Sequence, residues 1–216
     1  TGLIEKSYSV TLAYKRSNYG FEFYFSDFNT KLGIFSGSYA ETIGDIQRAI
    51  TRPQPITPSY FSYDFGRPYQ LVNHELLKVK AFLDMRNAGR LEATFAQQLN
   101  KRSEFSYVPL SGSDSPELHL ELMTHTLDLM WSHSPVKRFS GSVGLSGITQ
   151  GNVRDYQFLI PNYRNYGWGV FAIERWIKDK FTAEAGIRYD YRWLRAYYLE
   201  SLTGNRIEPT YIFNNI

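Results

Sequence analysis

Phe181-Thr182-Ala183-Glu184-Ala185-Gly186-Ile187-Arg188-Tyr189-Asp190-Tyr191-Arg192-Trp193 alternates with period two. Side chains two apart share one face of a strand, so this stretch has one apolar and one polar face. The apolar set is Phe181, Ala183, Ala185, Ile187, Tyr189, Tyr191 and Trp193, and the polar set is Thr182, Glu184, Arg188, Asp190 and Arg192. Alternation alone suits either a soluble sheet or a membrane strand. The order within the apolar face is more telling, because small and aliphatic side chains give way to two tyrosines and a tryptophan. Large rings with one wet end belong where an apolar medium meets water, as in the aromatic girdles of membrane barrels. A soluble core with a Tyr/Trp rim is the alternative.

The same unit recurs upstream. Tyr8, Val10, Leu12 and Tyr14 lead through Arg16-Ser17-Asn18 to Tyr19, Phe21, Phe23 and Phe25. Leu77, Val79, Ala81 and Leu83 lead through Arg86-Asn87-Ala88-Gly89 to Leu91, Ala93, Phe95 and Leu99. Leu127, Leu129 and Trp131 lead through Ser134-Pro135-Val136-Lys137 to Phe139, Val143 and Leu145. Phe171, Ile173 and Ile177 lead through Lys178-Asp179-Lys180 into the opening stretch. These are hairpins with short turns. The links between them read as long, over residues 29–70, 103–118 and 151–165. Antiparallel strands then place short turns at one end and long loops at the other, as in outer-membrane barrels. The expected fold is all-β, an antiparallel up-and-down membrane β-barrel segment of about eight strands. Phe171, Ile173, Ala183, Ala185 and Ile187 are expected to face lipid, with Glu184 and Arg188 facing the lumen.

Bulk composition is consistent with this reading. Aromatics make up 17% of the 216 residues, more than a soluble core requires. The 24 basic and 21 acidic residues give a net charge of +3, too balanced for a nucleic-acid partner, and no basic run stands out. With no cysteine, neither a disulfide framework nor a thiolate metal site can form. No apolar run reaches the ~18 residues a membrane helix needs, so a membrane-spanning form must be a barrel. One segment departs from period two: Ile43, Ile46, Ala49 and Ile50 have helical spacing, and Thr51-Arg52-Pro53 stops them. A short helix over 40–51 inside the first long loop is expected, followed by an extended stretch containing Pro53, Pro55 and Pro58.

The run Tyr166-Gly167-Trp168-Gly169-Val170-Phe171-Ala172-Ile173-Glu174-Arg175-Trp176 and the following Glu184-Ala185-Gly186-Ile187-Arg188-Tyr189-Asp190 resemble the barrel of TonB-dependent outer-membrane receptors, particularly those of Bacteroidetes-type bacteria. Phe35-Ser36-Gly37-Ser38-Tyr39, Asp45-Ile46-Gln47-Arg48-Ala49-Ile50, His74-Glu75-Leu76-Leu77-Lys78-Val79-Lys80 and Thr124-His125-Thr126-Leu127-Asp128-Leu129 are similar to further parts of it. The likeness covers residues 7–195. It implies a barrel of about 22 strands around a plug domain. It also implies energy-coupled import of a nutrient such as an iron–siderophore complex or haem across the outer membrane of a Gram-negative bacterium. The implied partners are the TonB system, acting through the plug, and outer-membrane lipid. The 216 residues contain no recognisable plug or TonB-box segment, and eight strands cannot enclose so wide a lumen. An internal fragment of a longer receptor is therefore expected. A complete small outer-membrane barrel and a soluble all-β glycan-binding module are the alternatives.

The chain has no enzyme motif: Ser140-Gly141-Ser142-Val143-Gly144 is not a nucleophile elbow. No cofactor is implied. His119 and His125 share strand parity and are weak metal or haem-ligand candidates, although no usual ligand spacing accompanies them. His133 keeps that parity at the short-turn end. Ligand contacts are expected from Tyr39, Arg48, Tyr163, Arg164 and Tyr166, where arginine suits anionic ligands and tyrosine suits sugars or aromatic chelates.

Overall fold

The structure is a computed structural model that describes residues 2–34, 42–54, 63, 66–106, 114–156, 159–199 and 204–216. The chain folds into one antiparallel sheet of ten strands. They are β1 (Leu3–Lys15), β2 (Tyr19–Gly33), β3 (Tyr69–Asp84), β4 (Arg90–Phe105), β5 (Leu118–Ser132), β6 (Phe139–Tyr156), β7 (Asn162–Lys178), β8 (Phe181–Leu199), β9 (Arg206–Ile207) and β10 (Thr210–Asn215). β1 to β8 pair in chain order, and both β9 and β10 pair with β8. The sheet is up-and-down with two open edges, the segment of a barrel. It has the eight long strands of the hairpin count and two short ones, β9 of two residues and β10 of six. A helix, α1 (Ile43–Thr51), follows β2. Its capping box has the Thr42 hydroxyl accepting from the Asp45 amide and the Asp45 carboxylate accepting from the Thr42 amide. Tyr39, the other residues of 35–41, Pro55 and Pro58 lie outside the described residues.

Unbroken registers define the two faces. One holds Tyr8, Val10, Leu12 and Tyr14 with Phe25, Phe23 and Phe21, which pair with Leu77, Val79 and Ala81. It continues through Phe95, Ala93 and Leu91 to Leu127, Leu129 and Trp131, then to Leu145 and Val143. The last strands add Val170, Ala172, Ile187, Tyr189, Tyr191 and Trp193. The opposite face carries Ser9, Thr11, Glu22, Lys80, Thr94, Asp128, Ser146, Arg188 and Asp190.

Two expectations are corrected by the registers. The turn at Asp179-Lys180 sets Lys178 opposite Phe181, so Phe171 pairs with Arg188 and Ile173 with Gly186. Phe171 and Ile173 therefore lie on the polar face, and their neighbours Val170 and Ala172 occupy the apolar one. The links are also shorter than the hydrophobic pattern suggests. β6 reaches Tyr156 and β7 starts at Asn162, which leaves five residues where fifteen seemed to loop. The reason is an exchange of polarity along the strands. In β5 the apolar positions shift from Leu127, Leu129 and Trp131 to Leu118, Leu120 and Leu122, which lie on the other face of the same regular strand. Simple alternation is lost there while the ladder continues.

A single sheet has no second layer to bury its apolar face. Among the described residues the buried apolar side chains are Phe105, Leu118 and Ala196, while Leu12 is 61% and Ile187 67% exposed. Rings gather at both ends of this uncovered face. At the long-loop end Tyr166 lies 5.4 Å from Trp193, and Trp168 lies 5.6 Å from Tyr189 and 5.9 Å from Tyr191. At the short-turn end Tyr14 lies 6.1 Å from Tyr19 and 5.7 Å from Phe21, and Trp131 donates to the Ala88 carbonyl at 2.9 Å.

Candidate functional site: the polar face of the sheet

Polar side chains on this face link strands that are not neighbours. Arg188 of β8 donates to both carboxylate oxygens of Asp190 at 2.6 Å, and its Nη2 reaches the Ser146 hydroxyl of β6 at 3.0 Å. The intervening strand, β7, has Gly169 at the crossing point. A Cβ there would lie 2.2 Å from the Asp190 carboxylate, 2.8 Å from Arg188 and 3.0 Å from Ser146, so the missing side chain lets the pair lie flat over β7. These groups line a hollow of about 420 Å³ with Thr126, Asp128 and Arg192. Towards the long-loop end, the Tyr163 hydroxyl donates to Gln150 Oε1 at 3.1 Å, and Gln150 Nε2 donates to the Thr124 hydroxyl at 2.9 Å. Asn165 is buried beside this row, and its side-chain oxygen has no hydrogen-bond donor. Towards the short-turn end, a hollow of about 510 Å³ is lined by Lys15, Glu22, Lys80, Arg90, Glu92 and Asp128.

Carboxylates, guanidinium groups, hydroxyls and amides thus gather along one side of the wall, with Phe171, Ile173, Leu118, Leu120 and Leu122 of the same parity between and beyond them. Such a surface hydrogen-bonds water or a polar solute. Arg188 and Asp190 are paired in place there, and Arg90 pairs with Asp84 and Glu92.

The sequence candidates fall at separate places. Tyr163 belongs to the polar face. Arg164 and Tyr166 belong to the apolar parity, and Tyr166 packs on Trp193 in the ring band. Arg48 is on α1, exposed and paired with Asp45. The Thr42 hydroxyl and amide, with Arg48, hold the Asp45 carboxyl below its usual pKa. Tyr39 lies outside the described residues. His119 sits 2.9 Å from the Ser103 hydroxyl, and His125 stacks 6.3 Å from Phe95. Among the described residues no group of three His, Asp or Glu side chains gathers around a point that could hold a metal ion. His133 lies just past β5, with Nδ1 2.8 Å from the Ser134 carbonyl and Nε2 3.2 Å from Glu174. The Ser134 carbonyl first, and the Glu174 carboxylate next, raise its pKa. The Arg188–Asp190–Ser146 link escaped sequence reading because Ser146 is 42 positions from Arg188, and only the register brings them together.

A second ordered feature ties the long-loop ends of β3 and β5. Arg67 Nη1 donates to Glu117 Oε1 at 2.9 Å, and the Ser106 amide donates to Glu117 Oε2 at 2.5 Å. The Arg67 guanidinium also lies 5.1 Å over the Phe105 ring. Burial opposes the charge on Glu117, but the Ser106 amide and Arg67 outweigh it and hold the carboxyl below its ordinary pKa.

No family model and no curated protein matches this chain. Among solved structures, the chain is similar to the ferric yersiniabactin uptake receptor FyuA from Yersinia pestis, with a TM-score of 0.57 at 12% sequence identity. The match covers 99% of this chain and 33% of that one, so the chain spans about one third of the length of the receptor it resembles. The likeness shows the fold: an antiparallel barrel wall.

Proposed function

We propose that this chain is part of the wall of a TonB-dependent receptor in the outer membrane of a Gram-negative bacterium, importing a small-molecule nutrient. The observation that carries the reading is the sheet's uncovered apolar face. Leu12, Val143, Val170 and Ile187 are all exposed there, ring clusters bound the face at both ends, and a polar face backs it. Water disfavours so large an apolar patch, whereas a bilayer solvates it and the rings sit at its two interfaces. The eight long strands have 13 to 19 residues each, more than the ~9–11 needed to cross a bilayer. Their surplus lies at the long-loop end, where the outward parity turns polar with Asn73, Lys101 and Glu121. Strands that rise out of the membrane into water account for that exchange.

In this reading the polar face is the lumen wall. Arg188, Asp190, Asp128 and Ser146 contact solute or an enclosed domain, and Tyr163 with Gln150 stands nearest the outer mouth. The resemblance of 184–190 to Bacteroidetes-type barrel strands and the likeness to FyuA support an import receptor. An iron–siderophore complex or haem is the substrate class that follows. Energy reaches the barrel through the TonB system and a plug domain elsewhere in the parent chain. The test is mass spectrometry of fractionated membranes. A parent chain about three times this length in the outer membrane supports the reading; a mature soluble chain of 216 residues overturns it.

A further inference from the structure

Just beyond the ring band, towards the long loops, the apolar parity of β7 and β8 ends in guanidinium groups. Arg164 and Arg195 stand directly opposite one another, immediately past the Tyr166–Trp193 pair on the same face. Like charges in that relation repel. Arg206 of β9 joins them, with its guanidinium 5.6 Å from the Tyr197 ring and that of Arg195 5.7 Å from the same ring. Glu208 is shared, pairing with Arg195 and, at 2.5 Å, with Arg206. Arg164 is exposed and has no ion pair among the described residues. The Nε of Arg195 is buried with no acceptor. A hollow of about 700 Å³ opens here, lined by Arg164, Arg195 and Arg206, with Glu208 as the one carboxylate among the described lining residues. The arrangement holds positive charge that the described protein does not neutralise, and donors that it leaves unused.

We propose that this hollow binds the phosphate of an outer-leaflet lipid headgroup. Guanidinium forks bind phosphate oxygens in pairs, and an anion between Arg164 and Arg195 turns their repulsion into a clamp. Position selects a lipid over an imported solute. The arginines share the face of Ile187 and Val170, opposite the polar wall, and lie at the headgroup level set by the ring band. The site rests on the membrane-barrel reading. It moves Arg164 from the import route to the lipid-facing surface.

The test uses the full-length parent protein, purified in detergent and examined by native mass spectrometry. The probes are bisphosphorylated lipid A, enzymatically dephosphorylated lipid A with the same acyl chains, and inorganic phosphate. Bisphosphorylated lipid A should stay bound to the wild type. Its affinity should fall by about a hundredfold in the Arg164→Gln/Arg195→Gln double variant, each lost charge-assisted contact accounting for roughly tenfold. Lys178→Gln, which removes one positive charge at the other end of β7, should leave it unchanged. Heat-modifiable migration on gels confirms that both variants are folded. Equal binding by the double variant overturns the site, as does equal retention of the dephosphorylated lipid. Full competition by millimolar inorganic phosphate overturns the lipid assignment. Failure of the membrane reading shows separately, as a parent protein absent from the outer membrane.

Discussion

Glu117 owes its charge to two neighbours, the Ser106 amide and the Arg67 guanidinium, in an otherwise unfavourable place. Its side chain is 4% exposed and that of its partner Arg67 is 13%; without Glu117 the Arg67 guanidinium keeps the exposed Asp114 carboxylate and the Ser115 carbonyl but loses its one buried counter-charge. Glu117→Ala should destabilise the folded barrel by about 3–5 kcal/mol, read from urea unfolding in micelles. The pH dependence follows from the lowered pKa. The unfolded carboxyl titrates at about 4.3 and the folded one below that. The Glu117 contribution is therefore complete above the unfolded value and fades as pH falls through the folded one. The stability gap between wild type and Glu117→Gln should close over that acid range; a gap that stays constant with pH would show that the charge is not what the clamp uses. Two glycines give a second comparison. A Cβ at Gly141 would lie 2.3 Å from the Ile173 carbonyl, which the ladder holds fixed, whereas at Gly169 it meets only the ends of Asp190, Arg188 and Ser146. Gly141→Ala should cost about 1–3 kcal/mol in the same assay. Gly169→Ala should assemble normally, with the Arg188–Ser146 link opened.

At the scale of the strand, register decides which residues share the apolar face, the one proposed to meet lipid. Val170 and Ala172 pair with Tyr189 and Ile187, while Phe171 pairs with Arg188, whose guanidinium lies 5.9 Å from its ring. A lysine at mid-bilayer on the lipid face costs roughly 2–4 kcal/mol. Val170→Lys and Ile187→Lys should each reduce outer-membrane assembly, scored by the heat-modifiable band. Phe171→Lys and Arg188→Leu should assemble. The reverse outcome would mean that the faces are exchanged. A turn of two residues moves the whole pattern of β7 by one position relative to β8, so adjacent substitutions are expected to behave oppositely.

For the whole molecule, the open edges at β1 and β10 and the uncovered apolar face act together. An unpaired edge next to an apolar patch recruits other chains. The isolated 216-residue chain should therefore sediment as large aggregates in water. In detergent it should stay dispersed, with its strand content retained by circular dichroism. A monodisperse, folded monomer in detergent-free buffer would favour the soluble glycan-binding alternative. The same openness explains why so few side chains are buried among the described residues: a single sheet has no second layer to cover either face.

The sequence by itself determined the all-β class, the hairpin order and the short turns at one end, because strict alternation allows only one backbone period. A helix over 40–51 was also legible, through the Ile43, Ile46, Ala49 and Ile50 spacing and its Thr-Arg-Pro stop; α1 spans Ile43–Thr51. Tertiary structure decided the rest. The true reach of β5, β6 and β7 is hidden in the sequence, since apolar positions change face along a strand, as between Leu127 and Leu122 in β5, and break the alternation. The sides taken by Phe171 and Ile173 depend on a turn register that hydrophobicity does not encode. Pairings such as Arg188 with Ser146, Arg67 with Glu117 and Arg164 with Arg195 depend on long-range ladder contacts, and no local period reports which distant residue a strand will set beside its own.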